Sequence, residues 1–140
     1  RRERIKSGNR GGMRMALQLY HDEECTQPIN ASNPDTVKEP AVIGSNIESE
    51  RTIYLKSDNP NLTYENIDVS ATGDKYGATE SGEIEVLYRL DGSWQKILVL
   101  PDGDYTEPMA IQRMVKAPNV TKAFNRLDIK HKLEHEEYAK

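Results

Sequence analysis

The sequence lacks several features that identify secreted, membrane-bound or disulfide-stabilised proteins. Its 140 residues include one cysteine, Cys25, so no internal disulfide can form and stability must come from packing, a partner or an ion. No apolar run approaches the roughly 20 residues that a membrane-spanning helix needs. No apolar segment follows the basic N-terminal residues, as it would in a secretory signal. We therefore expect one folded domain, made in a reducing cytosol and without membrane association.

Recognisable reactive groups and helical patterns are also missing. Nowhere do apolar residues recur at three and four positions over the length of a helix. Phosphate-binding glycine loops, nucleophile elbows, kinase motifs and paired-cysteine zinc motifs do not occur. The sequence therefore predicts no catalytic, cofactor-binding or metal-binding residue and no cofactor, and we expect the protein not to be an enzyme.

What the sequence does contain is alternation of apolar and polar residues, which is typical of half-buried β-strands. Turns rich in glycine, proline and asparagine separate the alternating segments. Strands are expected around residues 15–20, 36–38, 42–57, 67–71, 83–90, 94–100, 109–115 and 124–133. The pattern predicts an all-β fold, an Ig-like or jelly-roll-like β-sandwich of seven or eight antiparallel strands.

The strongest local prediction concerns a hairpin in the second half of the chain. Residues 83–90 and 94–100 both alternate, and the Asp91-Gly92 pair between them is the preferred dipeptide of a tight β-turn. We therefore predict that these two segments pair with each other.

Charge divides the chain into an arm and a body. The net charge is −4, but residues 1–14 carry +5 and the remainder carries −9. We expect a basic N-terminal arm at 1–14, disordered or extended, a sandwich domain at 15–136 and a tail at 137–140. Two interpretations of the arm stay open. It is an electrostatic tether, or it is merely disordered or precedes the natural start of the protein, and we favour the second interpretation.

The histidines and the cysteine are the candidates for a metal or nucleophilic site. His131 and His135 would share one face of a helix, but on a strand they lie about 13 Å apart. Cys25 follows His21 closely in the chain, and a cysteine–histidine dyad requires only proximity in space. We favour surface histidines and a packed thiol.

Two acidic turns raise the question of calcium. Asp58, Asn59 and Asn61 lie in one turn, and Asp102 and Asp104 lie in another. Neither turn has the spacing of an EF-hand loop, and these residue types favour turns for backbone reasons. A turn-forming role is therefore preferred, and calcium binding stays open.

Aromatic side chains suggest a second kind of binding surface. Aromatic rings bury much area at low entropic cost, which suits carbohydrate or protein partners. The candidates are Trp94, Tyr54, Tyr64, Tyr76, Tyr88 and Tyr105. Packing in the core or at its edge is the favoured interpretation.

Three stretches of the sequence carry a resemblance to a known class of protein. ALQLYHDEECTQPI, RTIYLKSDNPNLTYENIDVSA and EIEVLYRLDGSW…LVLPDGDY resemble small β-sandwich structural proteins of tailed bacteriophages and prophages. The resemblance covers most of residues 15–133 and lies in the order of strands and turns rather than in one motif.

The resemblance implies a non-enzymatic virion protein, synthesised in the cytoplasm of the bacterial host. It would be a capsid decoration or stabilising subunit that binds other virion proteins, forms a homo-oligomer and has no nucleic-acid partner. Edge strands at 15–20 and 124–133 would pair between subunits. A tail or head–tail joining protein is the alternative within this class, and a carbohydrate-binding or adhesion module is the alternative from another class.

Overall fold

The computed structural model describes residues 4–5, 16–71 and 84–140, and residues 4–5 as backbone only. Every regular element among these residues is a β-strand, and no membrane-crossing helix occurs among them. The strands are β1 (Arg4–Ile5), β2 (Leu17–Tyr20), β3 (Asp35–Pro40), β4 (Ile47–Ser57), β5 (Leu62–Ala71), β6 (Glu85–Arg89), β7 (Leu98–Leu100), β8 (Met109–Ala117), β9 (Phe124–Ile129) and β10 (His131–Ala139).

Two four-stranded sheets and a two-stranded ribbon make up the architecture. The first sheet has the order β1-β10-β5-β7, the second has the order β2-β4-β8-β6, and the ribbon pairs β3 with β9. All of these pairings are antiparallel. The prediction of an all-β antiparallel sandwich is confirmed, whereas the Ig-like or jelly-roll subtype stays a prediction.

The core lies between the sheets because alternate residues of each long strand point inward. Ile53 and Leu55 of β4 are fully buried, as are Ile67 and Val69 of β5, and they belong to one continuous cluster. Burial of each such side chain stabilises the fold by about 1.5–3 kcal/mol. The polar corner between β4 and β5 therefore joins the two sheets, as sandwich corners do.

The long hairpin predicted for residues 83–100 is wrong. β6 pairs with β8 in the second sheet, and β7 pairs with β5 in the first. The chain does bend at Asp91-Gly92, and a single bridge joins Tyr88 to Gln95 with two backbone hydrogen bonds of 2.8 Å. Beyond that bridge the chain crosses to the first sheet, where Leu98 and Leu100 are buried in the core.

Two strands beyond the predicted number arise at the ends of the chain. The segment expected as one strand at 124–133 is two, because β9 ends at Ile129 and β10 begins at His131. β10 continues past residue 136 and pairs Ala139 with Leu62. β1 is the other addition, and it pairs with residues 137–138 of β10. The rest of the basic arm lies outside the described residues.

The predicted edge strands are only partly at sheet edges. β2 is the terminal strand of the second sheet, as expected for residues 15–20. β9 belongs to the ribbon, and β10 lies between β1 and β5 in the first sheet. Pairing of these strands between subunits stays a prediction.

Candidate functional site

Five polar side chains from five different strands meet in the interior around one carboxylate. We call this group the Asp35 network, and its members are Asp35 of β3, Arg51 of β4, Tyr88 of β6, Arg113 of β8 and His131 of β10. It joins the ribbon to both sheets, and it is the largest charged cluster in the described part of the core.

Strand register places three members of the network in one row. Arg51 is directly opposite Arg113 across β4 and β8, and Arg113 is opposite Tyr88 across β8 and β6. Two arginines facing each other on the inner side of a sheet would repel. The first residue of β3, Asp35, supplies the negative charge that lets both remain there.

The carboxylate of Asp35 is held by both arginines. Arg113 donates twice, from Nε to Oδ2 at 2.9 Å and from Nη2 to Oδ1 at 2.7 Å, and Arg51 Nη1 donates to Oδ1 at 3.0 Å. The exposed fraction is 0% for Asp35 and 1% for Arg113. Arg113 Nη1 also donates to the carbonyl oxygen of Ser49 at 2.9 Å. Bidentate, charge-assisted bonds of this kind are among the strongest in proteins.

His131 connects the carboxylate to a tyrosine hydroxyl. Its Nε2 lies 2.7 Å from Asp35 Oδ2, its Nδ1 lies 2.6 Å from Tyr88 Oη, and the two rings meet edge to face at 5.5 Å. A single ring hydrogen on Nε2 satisfies both contacts, because Nε2 then donates to Asp35 and Nδ1 accepts from the tyrosine.

The surroundings of Asp35 favour its ionised form. Burial alone would raise the pKa of Asp35, but hydrogen bonds from His131 and Arg113, together with the charge of Arg113, outweigh it. They hold the pKa well below its ordinary value. Asp35 is therefore a permanent negative charge at neutral pH.

The hydroxyl–imidazole–carboxylate order of Tyr88, His131 and Asp35 resembles the connectivity of a catalytic triad. A triad nucleophile must reach its substrate, whereas the exposed fraction of Tyr88 is 0%. What the arrangement does in this structure is fix five strands relative to one another. Breaking one partner of such a buried pair costs about 3–5 kcal/mol, because the other charge stays buried.

A second, smaller polar group links the sheets at the other end of β10. His135 Nε2 lies 3.1 Å from Glu137 Oε1, and the His135 ring meets that of Tyr64 edge to face at 5.5 Å. The hydroxyl of Tyr64 in turn bonds Ser57 Oγ at 2.6 Å. The expectation of surface histidines is therefore wrong for His131 and His135, whose side chains are each 2% exposed.

The remaining histidine and the cysteine are not part of either group. His21 is half-buried and donates from Nε2 to the carbonyl oxygen of Asn33 at 2.8 Å. Burial raises the pKa of the half-buried Cys25 thiol, which is the opposite of what activates a nucleophilic cysteine.

In the acidic turns, the polar side chains bond to the backbone or form an ion pair. Asn59 Oδ1 accepts from the amide of Asn61 at 2.9 Å, which closes the first turn on itself. In the second turn Asp104 pairs with Lys140 Nζ at 2.8 Å. Within the described ranges no group of three or more histidine, cysteine or acidic residues is placed to hold a metal ion.

The aromatic residues do not gather on one surface. Tyr64, Tyr88 and Tyr105 are buried in the core. Trp94 is half-buried, and the guanidinium of Arg89 lies 4.3 Å from the centre of its ring. Tyr54 is half-buried, and Tyr76 lies outside the described residues.

Sequence reasoning missed Asp35, Arg51 and Arg113, although two of them left a signal. Arg51 is in phase with the inward-pointing residues of β4, and Arg113 is in phase with those of β8. A charged residue at an inward position of a clear strand predicts a buried partner of opposite charge. Nothing in the sequence singled out Asp35 as that partner, because it lies among turn-forming residues.

Two apolar features lie on the surface, at opposite ends of the ribbon. The first, which we call the apolar tip, consists of Val42, Ile43 and Phe124, which are 78%, 66% and 64% exposed. The second, the edge cleft, is a cavity of about 540 Å³ lined by the apolar residues Leu17, Leu19, Pro28, Ile29, Ala31 and Leu133 and by polar residues that include Asp128, Lys130 and His131.

Compared with known protein families, curated proteins and solved structures, the chain matches none.

Proposed function

We propose that the protein is a non-enzymatic structural subunit of a tailed-bacteriophage virion, most simply a capsid decoration or stabilising subunit. The observation that carries the proposal is that charged and apolar side chains are distributed differently between the core and the surface. Its strongest ionic groups are buried and bound to one another, whereas several of its large apolar side chains are exposed. In such a protein the buried charged groups stabilise the fold, and the exposed apolar side chains are available to bind other proteins.

The Asp35 network supports a mechanical role. It connects β3, β4, β8 and β10 through hydrogen bonds to the Asp35 carboxylate, and β6 through the bond between Tyr88 and His131. Such a network resists sliding of the sheets and the ribbon past one another. Moving a strand would break its hydrogen bonds and leave a buried charge without its partner. Rigidity of this kind suits a subunit that repeats on a shell under internal pressure.

The exposed apolar residues support binding to other proteins. Val42, Ile43 and Phe124 lie at one end of the ribbon. Ile97 lies directly before β7 and is 59% exposed, and Val99 lies within β7 and is 71% exposed. Exposed apolar groups of this size commonly mark protein–protein contacts. A virion subunit repeats many times, so modest contacts add up through avidity.

The resemblance of residues 15–133 to phage sandwich proteins supports the virion as the place of action. The same features would serve a tail or head–tail joining protein, which stays the alternative within the class. A carbohydrate-binding role has less support, because an arginine covers one face of Trp94 and three of the candidate tyrosines are buried.

The test is to look for the protein in particles. Phage particles would be induced from the bacterial strain that encodes the chain, purified by density, and analysed by mass spectrometry and by immunogold electron microscopy. We expect the chain in many copies per particle, with the label on the capsid. A label confined to the tail would select the alternative role, and purified particles lacking the chain would overturn the virion proposal.

A further inference from the structure

We propose that Asp91 is a site of spontaneous covalent modification, at which its bond to Gly92 rearranges from aspartate to isoaspartate. The sequence contains two Asp-Gly pairs, Asp91-Gly92 and Asp102-Gly103, and the structure distinguishes between them. A glycine after the aspartate favours this reaction, because no Cβ obstructs the approach of the glycine nitrogen to the aspartate side chain. The inference goes beyond the proposed function and does not depend on it.

The rearrangement requires only the chain itself and water. The main-chain nitrogen of Gly92 attacks the side-chain carbon Cγ of Asp91 and forms a new C–N bond. The hydroxyl of the protonated carboxyl group leaves with the amide hydrogen as water, and a five-membered succinimide ring results. Water then opens the ring. Attack at Cγ restores aspartate, whereas attack at the main-chain carbonyl breaks its bond to nitrogen and leaves the chain running through Cβ and Cγ, which is isoaspartate.

The structure leaves the reacting groups of the first pair free. Asp91 and Gly92 are both exposed, in the bend that follows β6. Among the residues that the structure describes, the amide of Gly92 and the carboxylate of Asp91 have no hydrogen-bond or ion-pair partner. Gly92 has a φ of 113°, and a Cβ added there would meet no atom within 4 Å. The peptide between the two residues therefore has room to turn toward the carboxyl group.

The second pair has the same sequence but a protected nitrogen. Asp102 is also exposed, so exposure does not distinguish the two aspartates. The amide of Gly103, however, donates to the carbonyl oxygen of Tyr64 at 3.0 Å, and the Gly103 carbonyl accepts from the Tyr64 amide at 2.8 Å. The nitrogen of Gly103 cannot attack until these bonds to β5 open. The fold therefore suppresses the reaction at one Asp-Gly pair and permits it at the other.

Isoaspartate at position 91 would change the bend in which it lies. It adds one carbon to the main chain between Tyr88 and Gln95, which two backbone hydrogen bonds of 2.8 Å hold together. The same bend places the guanidinium of Arg89 4.3 Å from the centre of the Trp94 ring. A longer main chain shifts the ring relative to the guanidinium. Trp94 is the only tryptophan in the sequence, so its fluorescence reports the change.

The test incubates the full chain at neutral pH, folded and in parallel unfolded in urea. Peptide mass spectrometry with electron-transfer fragmentation distinguishes the two linkages at each aspartate. In the folded protein we expect isoaspartate to form at Asp91 at least about tenfold faster than at Asp102, a ratio that an opening free energy of only about 1.4 kcal/mol at Gly103 would produce. In urea the two rates should be similar, because the bonds to Tyr64 are gone.

Two matched variants make the comparison more sensitive. Asp91→Asn and Asp102→Asn both alter an exposed aspartate before a glycine. Asparagine forms the same ring with loss of ammonia, so the conversion is seen as a gain in mass. We expect Asp91→Asn to convert while folded and Asp102→Asn to keep its amide until urea is added. Asp91→Glu keeps the charge but would need a six-membered ring, and this variant should show neither rearrangement at position 91 nor a change in fluorescence with time.

Circular dichroism before incubation establishes that each variant is folded. Equal rates at Asp91 and Asp102 in the folded protein would overturn the proposal, because the fold would then not distinguish the two sites. A folded Asp91→Asn that keeps its amide while the urea-unfolded variant loses it would also overturn it, because the bend would then protect its own nitrogen.

Discussion

Asp35 is the residue on which the interior depends, because it accepts hydrogen bonds from Arg51, Arg113 and His131. Each of these side chains comes from a different strand, and two of them carry a permanent positive charge. Without the carboxylate, the inner face of the second sheet would hold two facing arginines and no counter-charge. Asp35 is thus needed for Arg51 and Arg113 to lie opposite each other on the inner face of the sheet.

Replacement of Asp35 should therefore be severe although the change is small. We expect Asp35→Asn to lower the free energy of unfolding by about 3–5 kcal/mol, because the amide keeps the shape but leaves the arginines buried without a negative partner. Urea unfolding followed by tryptophan fluorescence measures the change. Glu50→Gln, the same chemical change at an exposed position of β4, is the control and should alter stability by less than about 0.5 kcal/mol. Equal effects of the two substitutions would contradict a special role for Asp35.

The depressed pKa of Asp35 gives a direction for the effect of acid. In the unfolded chain an aspartate takes up a proton near pH 4, whereas in the folded protein Asp35 stays ionised to a lower pH. Its contribution to stability is therefore present above about pH 4 and declines as the pH falls toward the folded-state pKa. The stability difference between the wild type and Asp35→Asn should shrink between about pH 5 and pH 2 in urea titrations. A difference that is constant over this range would show that Asp35 titrates alike in both states.

At the scale of elements, the pairing of β5 with β10 contains an irregularity set by one residue. Asn66 has a φ of 51°, and the register between the strands shifts between Glu134 and Glu136. Asparagine tolerates this left-handed conformation, and its side chain donates to Glu136. The shift lets Tyr64 and Ile67 both point into the core although they are three residues apart.

Substitutions at Asn66 should separate conformational from side-chain effects. We expect Asn66→Val to lower the free energy of unfolding by about 1–3 kcal/mol, because a β-branched residue is strained at positive φ. Asn66→Gly, which relieves the strain but removes the bond to Glu136, should cost less than about 1 kcal/mol. Thermal and urea unfolding of the two variants provide the comparison. If glycine proved the more harmful, the side-chain bond and not the backbone would be the important feature.

The strands also show which parts of the fold can be predicted from the sequence. Strands β4 and β8 were predictable, because apolar and polar residues alternate along each of them. Only residues 67–71 of β5 were predicted, because the irregularity at Asn66 interrupts its alternation. The partner of β7 was not predictable. The Asp91-Gly92 dipeptide favours local pairing, but β7 instead pairs with β5 and buries Leu98 and Leu100 from the first sheet. Local turn chemistry is visible in a sequence, whereas the sheet that receives a strand is a property of the whole core.

The Asp35 network illustrates the same limit for the candidate site. The arginines at inward positions of β4 and β8 were detectable from phase alone. Their partner was not, since Asp35 begins a mostly polar strand directly after a loop of prolines and asparagines, where aspartate is ordinary. His131 belonged to an alternating segment, and nothing local distinguished a buried ring from an exposed one. Contacts between residues far apart in the chain decide such cases.

At the scale of the whole molecule, the Asp35 network connects the two sheets and the ribbon at the place where all three meet. The ribbon is hydrogen-bonded to neither sheet along its ladder, and the Asp35 network ties it to both. One end of that ribbon carries the apolar tip, so the tip belongs to the element that the network holds. Asp35→Asn should weaken the fold and also loosen the presentation of the tip, which hydrogen exchange at residues 40–45 would detect as faster exchange than in Glu50→Gln.

The spacing of the network along the chain bears on how the protein is made. The partners of Asp35 lie 16, 78 and 96 residues further on, at Arg51, Arg113 and His131. A chain emerging from the ribosome therefore displays this aspartate, and the strand it begins, long before β10 exists. Long-range closure of this kind slows folding, and we expect ribosome-stalled chains ending before residue 131 to remain protease-sensitive and the released chain to become resistant. Resistance in the shorter chains would mean that the core assembles without β10, whereas sensitivity would mean that the core closes only once β10 has been synthesised.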